Sequence, residues 1–417
     1  MDSMNRISVV QPNLLSKINE RQVLRTIQAR GPLSRAELSR FSGISAPTVS
    51  RAVEALVRVG LLEEGEASGL LRGRPAKKLR LATMLSQVLG LVIDANTCRI
   101  VAAGLDGDLD EERMREFATP GTYAELLDVI EREARSLMMD RAVTTLGMAI
   151  SMPGLVNTRN LVSVLSPNVP ITNSQAVGRD LSVRLGIECL LIQEADALCL
   201  AERRFGAATA MNDFAMLDVS TGVGLGVMSG GRLLTGHSGL AGEIGHITVE
   251  LDGRLCGCGN HGCLETVAGD SALAYAISNR LGKRVTIREC IEMIRRGELN
   301  ADAELKSACR YLAVALAAVI NLLNPSALFV HGELFNAEHG LFSRMVAETQ
   351  KRALKPSFED CTIIEARGSK RQGAIAAIIE HLTNAVAPTL MDDIYPPQNQ
   401  NQIQIQNEEP HALPILA

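Results

Sequence analysis

The sequence predicts an α/β protein in three stretches. Residues 1–82 form a small basic winged helix-turn-helix unit, residues 83–384 a larger acidic body of two lobes, and residues 385–417 a disordered tail. Three observations carry this reading. The charge is divided unevenly: residues 1–82 hold 14 Lys+Arg against 7 Asp+Glu (+7), and the remainder holds 28 against 40 (−12). An apolar stripe at Val49, Ala52, Val53, Leu56 and Val57 follows the period of a helix face. From Val88 onward, apolar strand-like runs alternate with helix-like segments, and the alternation recurs from about residue 190.

Within the basic unit, Ile18, Val23, Leu24 and Ile27 mark the inner face of a helix over 14–30, stopped by Gly31 and Pro32. Ser34-Arg35-Ala36-Glu37 has the spacing of a capping box and opens a short helix expected to bury Leu38 and Phe41. Gly43 supplies the tight turn between steeply crossing helices. Ser45 is placed to cap the third helix, and Pro47 is tolerated in its first turn. That helix turns Thr48, Ser50, Arg51 and Arg58 away from its apolar stripe and ends at Gly60. Leu61-Leu62 and Leu79-Arg80-Leu81 are expected to pair as the strands of a wing, with Arg72-Gly73-Arg74-Pro75 between them. Small hydroxyls and an arginine at the start of a reading helix suit phosphate and base-edge contacts in a major groove. Two arginines around a glycine suit a narrow minor groove. The expected DNA-contacting set is Arg35, Ser45, Thr48, Ser50, Arg51, Arg72, Gly73 and Arg74.

In the body, Val88–Ile93 and Arg99–Leu105 read as strands, Tyr123–Met139 as a helix and Leu146–Ser151 as a further strand. Residues 214–234 read as two or three strands joined by Ser220-Thr-Gly-Val-Gly-Leu-Gly226 and Ser229-Gly-Gly231. Such a turn can offer backbone N–H groups to phosphate, and it is equally the sequence of a plain hairpin.

Composition excludes several classes. A chain of 417 residues with 46% apolar residues is too long for one domain and too apolar for wholesale disorder. No uncharged apolar run reaches the length of a membrane span, and the N-terminal residues lack the layout of a secretory signal, so the expectation is a cytoplasmic protein with no membrane partner. With no Trp, 8 Phe and 4 Tyr, recognition of single strands by base stacking is disfavoured. Nine Cys without an export signal argue for metal binding where they cluster.

They cluster once, in Cys256-Gly-Cys258-Gly-Asn-His-Gly-Cys263. Three thiols within eight residues, with His246 ten residues upstream, supply a tetrahedral zinc shell with no open position, hence a structural ion. His261 competes with His246 for the fourth place on spacing alone. Glu243, His246 and Glu265 flank the cluster and offer hydrogen-bonding groups to sugar hydroxyls.

The stretch Leu240-Ala-Gly-Glu-Ile-Gly-His246, followed by Cys256-x-Cys258-Gly-x-x-Gly-Cys263-Leu-Glu265, resembles the signature of the ROK family (repressors, open reading frames and sugar kinases). The N-terminal unit with its Arg-Gly-Arg-Pro wing resembles that family's repressor branch, and the resemblance spans roughly residues 10–384. It implies two actin-like, ribonuclease-H-like lobes with a sugar site between them. It further implies one zinc on His246, Cys256, Cys258 and Cys263, and sugar contacts at Asn168, Glu194, Glu243, His246 and Glu265. Glu194 stands where the family's kinases carry a catalytic Asp, and Gln193 where they carry an Asn. Asp94-Ala-Asn-Thr97 replaces a glycine-containing phosphate loop, His331-Gly-Glu333 replaces a Gly-Gly pair, and Thr221-Gly-Val-Gly224 keeps a second phosphate turn.

The expected function is therefore a transcriptional regulator, a repressor of carbohydrate genes, that binds double-stranded operator DNA as a homodimer or homotetramer. A sugar or sugar phosphate in the cleft would shift the spacing of the reading heads. No catalysis is expected. The alternatives are an ATP-dependent sugar kinase with an appended DNA-binding domain, and a regulator of the same family controlled by a protein partner.

Overall fold

A computed structural model describes residues 12–65, 77–139 and 143–385. The wing residues Arg72, Gly73 and Arg74 and the tail beyond Ala385 lie outside these.

The head consists of α1 (Pro12–Arg30), α2 (Arg35–Ser42) and α3 (Ala46–Arg58), with β1 (Leu62–Gly65) and β2 (Lys78–Leu81). Val23, Leu24, Ile27, Leu38, Val49, Val53 and Leu56 form its core. The expected capping box is present: the Glu37 backbone N–H donates to Ser34 Oγ, and the Ser34 N–H donates to Glu37 Oε2 at 2.8 Å. Gly43 takes φ +70 at the turn. The wing strands pair antiparallel, Leu62 opposite Leu81.

Two expectations fail in the head. Phe41 is not buried: it is 40% exposed, with the Arg30 and Arg40 guanidiniums 4.4 and 4.6 Å from its ring centre. Two cations over one ring hold it at the surface as an aromatic platform. Ser45 occupies the N-cap position of α3 but makes no capping bond; its hydroxyl pairs with Thr48 Oγ1 at 2.9 Å.

The first lobe contains β3 (Ser86–Val92), β4 (Thr97–Ala103), β5 (Arg115–Ala118), α4 (Tyr123–Met139) and β6 (Thr144–Met152). A small hairpin of β7 (Leu155–Asn157) and β8 (Val162–Leu165) follows, then α5 (Val177–Leu185) and β9 (Glu188–Gln193). Its sheet order is β5-β4-β3-β6-β9. After α6 (Glu194–Phe205), the second lobe contains β10 (Phe214–Val219), β11 (Val223–Ser229), β12 (Arg232–Leu233), α7 (Asp270–Leu281), α8 (Ile287–Arg295) and α9 (Asp302–Leu323). It closes with β13 (Ala327–His331), α10 (Leu341–Gln350), α11 (Lys355–Glu359), β14 (Thr362–Glu365) and α12 (Lys370–Ala385). Its sheet order is β12-β11-β10-β13-β14.

The two sheets repeat one plan. In each, the first strand pairs antiparallel with the second and parallel with the fourth, and the fourth pairs parallel with the fifth. The relatedness of the lobes expected from the alternation is thus present strand by strand. Parallel strands need both faces covered, which is why β3 is buried along its whole length. Helix α9 is long and apolar enough, by length and composition, to cross a membrane. Here Leu305, Leu312, Leu316 and Ile320 bury that apolar surface in the second lobe's core.

Two helices exchange lobes. Helix α6 follows a first-lobe strand yet packs on β10 and β11, whereas α12 follows a second-lobe strand yet packs on β3 and β6. The helices cross at a small residue, where a Cβ on Gly373 would lie 2.2 Å from the Ala197 carbonyl oxygen, and α6 sits as closely on β11, where one on Gly226 would lie 2.6 Å from that of Ala195. Only glycine permits these backbones to approach so closely.

Head and body meet without a free linker. Glu63, at the start of the wing, is buried and accepts from Arg80 Nε (2.8 Å) and from the Met84 and Leu85 N–H groups (3.1 and 3.2 Å). Gly60 ends α3 with its Cα facing Ser86 and Leu146 of the first sheet. Helix α1 lies against the end of α12, where Arg21 donates to Asn384 Oδ1 at 2.5 Å and Gln28 to Thr383 Oγ1 at 3.1 Å.

Candidate functional site

The cleft between the lobes is walled on one side by a loop cluster that follows β11 and β12. Its position depends on backbone contact. Gly242 has φ +95, and a Cβ there would sit 2.0 Å from the Leu225 carbonyl oxygen; one on Gly245 would sit 2.1 Å from that of Val223. Both glycines let the segment that starts at Gly242 lie close against β11, joined by the bond from the Leu225 N–H to the Gly242 carbonyl (2.9 Å). The next residues wind into a 3-10 turn, Ile244–His246.

His246 and the cysteines converge. The ligand atoms of His246, Cys256, Cys258 and Cys263 all lie within 4.8 Å of one another. A zinc ion with Zn–S bonds of about 2.3 Å in a tetrahedron separates its sulfurs by about 3.8 Å, and sulfur from nitrogen by about 3.6 Å. Here Cys258 Sγ and Cys263 Sγ are 3.7 Å apart, and Cys256 Sγ is 3.6 Å from His246 Nδ1. The donor set and its spacing fit the ion. His261 is exposed and turns its Nδ1 toward the Gly253 carbonyl (3.2 Å), outside the converging group, whose histidine is His246.

The other nitrogen of His246 faces the cleft. Nε2 lies 3.7 Å from Glu243 Oε2. Glu243 Oε1 in turn accepts from Gln193 Nε2 at 2.7 Å, a bond that spans the two lobes. Burial raises the Glu243 carboxyl above its ordinary range, opposed by the Gln193 amide. Glu265 lies 3.6 Å from His246 Nδ1 and packs against the backbone of Gly222 in the retained turn. From the first lobe, Pro167 is the residue a Cβ on Gly257 would meet at 3.0 Å, so the loop carrying Asn168 closes on the cysteine cluster. Of the expected ligand set, Glu243, His246 and Glu265 stand together beside the cysteines, the Pro167-Asn168 turn comes up to Gly257, and Glu194 follows Gln193 at the start of α6.

Glu194 is engaged in a way the sequence did not announce. Its Oε1 lies 2.8 Å from Lys370 Nζ, and the same ammonium lies 3.3 Å from Asp218 Oδ2. Asp218 also accepts from Ser220 Oγ (2.5 Å) and lies 2.8 Å from His331 Nδ1. Burial pushes the Glu194 carboxyl up to about 7, against the pull of Lys370. Asp218 loses solvent too, but Lys370 and His331 hold it well below the carboxylate range. Asp94 adds a further negative charge from the turn after β3. Neither Lys370 nor Asp218 stands in a motif; Gly368-Ser-Lys-Arg371 reads as an ordinary polar turn.

Close by, Asp196 is 7% exposed, and burial, with Glu243 nearby, raises its carboxyl to about 7. It lines a cavity of about 1540 Å³ between α1 and the body, together with Arg25, Arg203 and Arg232.

On the head, Thr48, Ser50 and Arg51 lie on the outer side of α3, with Arg51 exposed. Arg35 is tied to the wing instead, 3.1 Å from Glu64, which also takes Lys77 at 2.6 Å.

Comparison with known proteins follows the same division. Residues 17–63 match the model described as winged helix-turn-helix DNA-binding, and residues 90–381 match that of the ROK family. The N-acetylglucosamine repressor of Escherichia coli O6:H1 is 27% identical over 395 residues, covering 90% of this chain and 95% of that protein. The xylose repressor of Bacillus spizizenii is 25% identical over 394 residues, covering 91% and 100%. Among solved structures, a ROK family transcriptional regulator, homolog of the E. coli MLC protein, superposes with a TM-score of 0.77 at 25% identity, covering 89% and 98%. A ROK hexokinase from Thermus thermophilus superposes with a TM-score of 0.60 at 27% identity, covering 70% of this chain and 97% of that one.

Proposed function

This chain belongs to the ROK family, and from that premise we propose that it represses carbohydrate-metabolism genes in response to a sugar or sugar phosphate held between its lobes. The broader class is given by the pairing of a winged helix-turn-helix with the ROK body in a chain similar over nine-tenths of its length to sugar-gene repressors: it is a DNA-binding regulator of carbohydrate-metabolism genes. The observation that carries the sensing role is the cleft, where Glu243, His246 and Glu265 stand beside a cysteine cluster, and Gln193 reaches Glu243 from the opposite lobe.

In this reading α3 enters the major groove with Thr48, Ser50 and Arg51, and Arg72-Gly73-Arg74 of the wing reach the minor groove. Arg35 steadies the wing through Glu64, and Ser45 orients Thr48. A homodimer or homotetramer supplies the symmetry a palindromic operator requires. Zinc held by His246, Cys256, Cys258 and Cys263 is structural, because four protein donors leave no position for water. It fixes the imidazole by one nitrogen and leaves the other to orient toward Glu243 and a ligand hydroxyl. The chain works in the cytoplasm, where its DNA is, and performs no phosphoryl transfer, since Glu194 is occupied by Lys370.

The test is fluorescence anisotropy of the purified chain on DNA from upstream of its own gene, over a range of salt, with a panel of sugars and sugar phosphates. Binding that weakens steeply with salt and is shifted by one sugar is the expected result. Salt-dependent binding indifferent to every sugar would transfer control to a protein partner. Sugar-dependent ADP release abolished by Glu194→Ala would establish a kinase instead.

A further inference from the structure

Lys370 occupies a singular place in the fold. It is the first residue of α12, a helix of 16 residues whose last turn holds α1 of the head through Thr383 and Asn384. Fourteen residues of helix separate Lys370 from Asn384, a distance of about 21 Å. At its cleft end the ammonium, 15% exposed, bridges Glu194 and Asp218, which are 12% and 5% exposed. Glu194 opens α6 directly after the last strand of the first lobe, and Asp218 lies near the end of β10 in the second. One cation therefore joins the two lobes at the foot of the helix that reaches the DNA-binding unit.

The body of α12 leaves little play along this path. Gly90 and Gly147 of the first sheet face Ile375 and Ile378 so closely that a Cβ on Gly90 would come within 3.1 Å of Ile375 and one on Gly147 within 2.8 Å of Ile378. Gly373 touches the backbone of α6 at Ala197. The Glu202 carboxylate, from α6, takes the N–H groups of Arg367 and Gly368 at 2.8 Å each, pinning the turn that leads into α12. A helix packed this tightly shifts as a body when its end is displaced, because close-packed interiors pass strain on and do not absorb it.

The charges set the direction. Glu194, Asp218 and Asp94 face a single ammonium, with His331 bonded to Asp218 on the far side. A hydroxyl-bearing ligand that takes Glu194 as its acceptor draws that carboxylate away from Lys370. Lys370 then remains with Asp218 on the second lobe, and the altered pull on the first turn of α12 is passed along the packed helix to its last turn. We propose that Lys370 is the positioning residue that couples the cleft to the reading head, clamping Glu194 to Asp218 at one end of α12 so that cleft occupancy resets α1 at the other. This rests on the cleft-ligand reading above and states how that site governs DNA binding.

The experiment uses the full chain and three variants: Lys370→Met, Lys370→Arg and the double variant Glu194→Gln/Lys370→Met. Hydrogen exchange is followed by mass spectrometry over residues 16–30 and 376–385, operator affinity by anisotropy, and N-acetylglucosamine binding by calorimetry. With Lys370→Met, exchange over 16–30 rises at least tenfold and operator affinity falls at least fivefold, while Lys370→Arg keeps both within twofold of the parent. If Lys370→Met does not fold, because Glu194 and Asp218 are left facing each other without the ammonium, the double variant removes that repulsion and must show the same two changes. Exchange that rises only over 192–196 and 216–224, with 16–30 and operator affinity unchanged, overturns the proposal. Failure of the parent chain to bind N-acetylglucosamine removes that sugar from the cleft reading, and the exchange and operator arms still decide the clamp.

Discussion

Replacing Asp196 by Asn isolates the stability cost of one buried carboxylate. Asp196 lies in the first turn of α6, where the helix dipole favours a negative charge, yet loss of solvent outweighs this and raises its carboxyl from 3.8 to about 7. A carboxyl whose affinity for a proton is higher in the folded chain stabilises that chain while protonated. The contribution is whole below the unfolded value and is lost as pH rises toward the folded one. About three units at 1.36 kcal/mol each set a ceiling of ~4 kcal/mol on the cost of ionising Asp196 at pH 8. Asparagine keeps the shape and carries no charge. The variant should therefore match the parent near pH 4 and melt progressively higher as pH rises to 8, by several degrees at ~2–4 °C per kcal/mol. Thermal melts of both proteins at half-unit steps of pH measure the difference, and subtraction removes the contribution of Glu194, whose carboxyl burial also raises. A difference in melting temperature that does not grow between pH 4 and pH 7, or a variant less stable at pH 8, would refute the burial argument.

Three further outcomes are expected. Cys258→Ser should lower zinc, measured by atomic emission, from one per chain toward none, and should abolish the response of operator binding to sugar; retention of both would dismiss the four-ligand centre. Gly242→Ala forces a Cβ to within 2.0 Å of the Leu225 carbonyl at φ +95, so unfolding should show a loss of at least ~2 kcal/mol, with the change in exchange centred on residues 240–247. Arg51→Ala should weaken operator binding on the order of tenfold; a reduced slope against log salt would mark a phosphate contact, and an unchanged slope with relaxed sequence preference a base contact.

The sequence was most readable where periodicity and covalent spacing decide the outcome. The helix Tyr123–Met139 appears with the bounds its pattern suggested, because its inward residues recur every three or four positions. His246, Cys256, Cys258 and Cys263 meet where glycines let the backbone turn sharply, as their spacing suggested. Phe41 was misread because an aromatic at the end of a short helix looks like core, and only the crossing of α1 and α2 shows two guanidiniums waiting for it. Ser45 has the identity of a cap, but the neighbouring Thr48 hydroxyl is the partner it uses. The ammonium between Glu194 and Asp218 left no trace in sequence, since its partners lie 176 and 152 positions upstream and meet only when the lobes close. Local pattern reports what a segment is; the lobe exchange of α6 and α12 decides which charges become neighbours.

The seam between α1 and α12 carries a lesson for engineering. The first described helix and the last are bonded to each other, so the reading unit is completed by a helix more than 350 positions away in sequence. A chimera that transplants residues 12–82 onto another body brings a helix whose hydrogen-bonding mates stay behind. Exchange of specificity between such regulators should succeed only when the graft carries both helices of the seam, with Thr383 and Asn384 travelling alongside Arg21 and Gln28. Modularity here belongs to the pair of helices and not to the first segment alone.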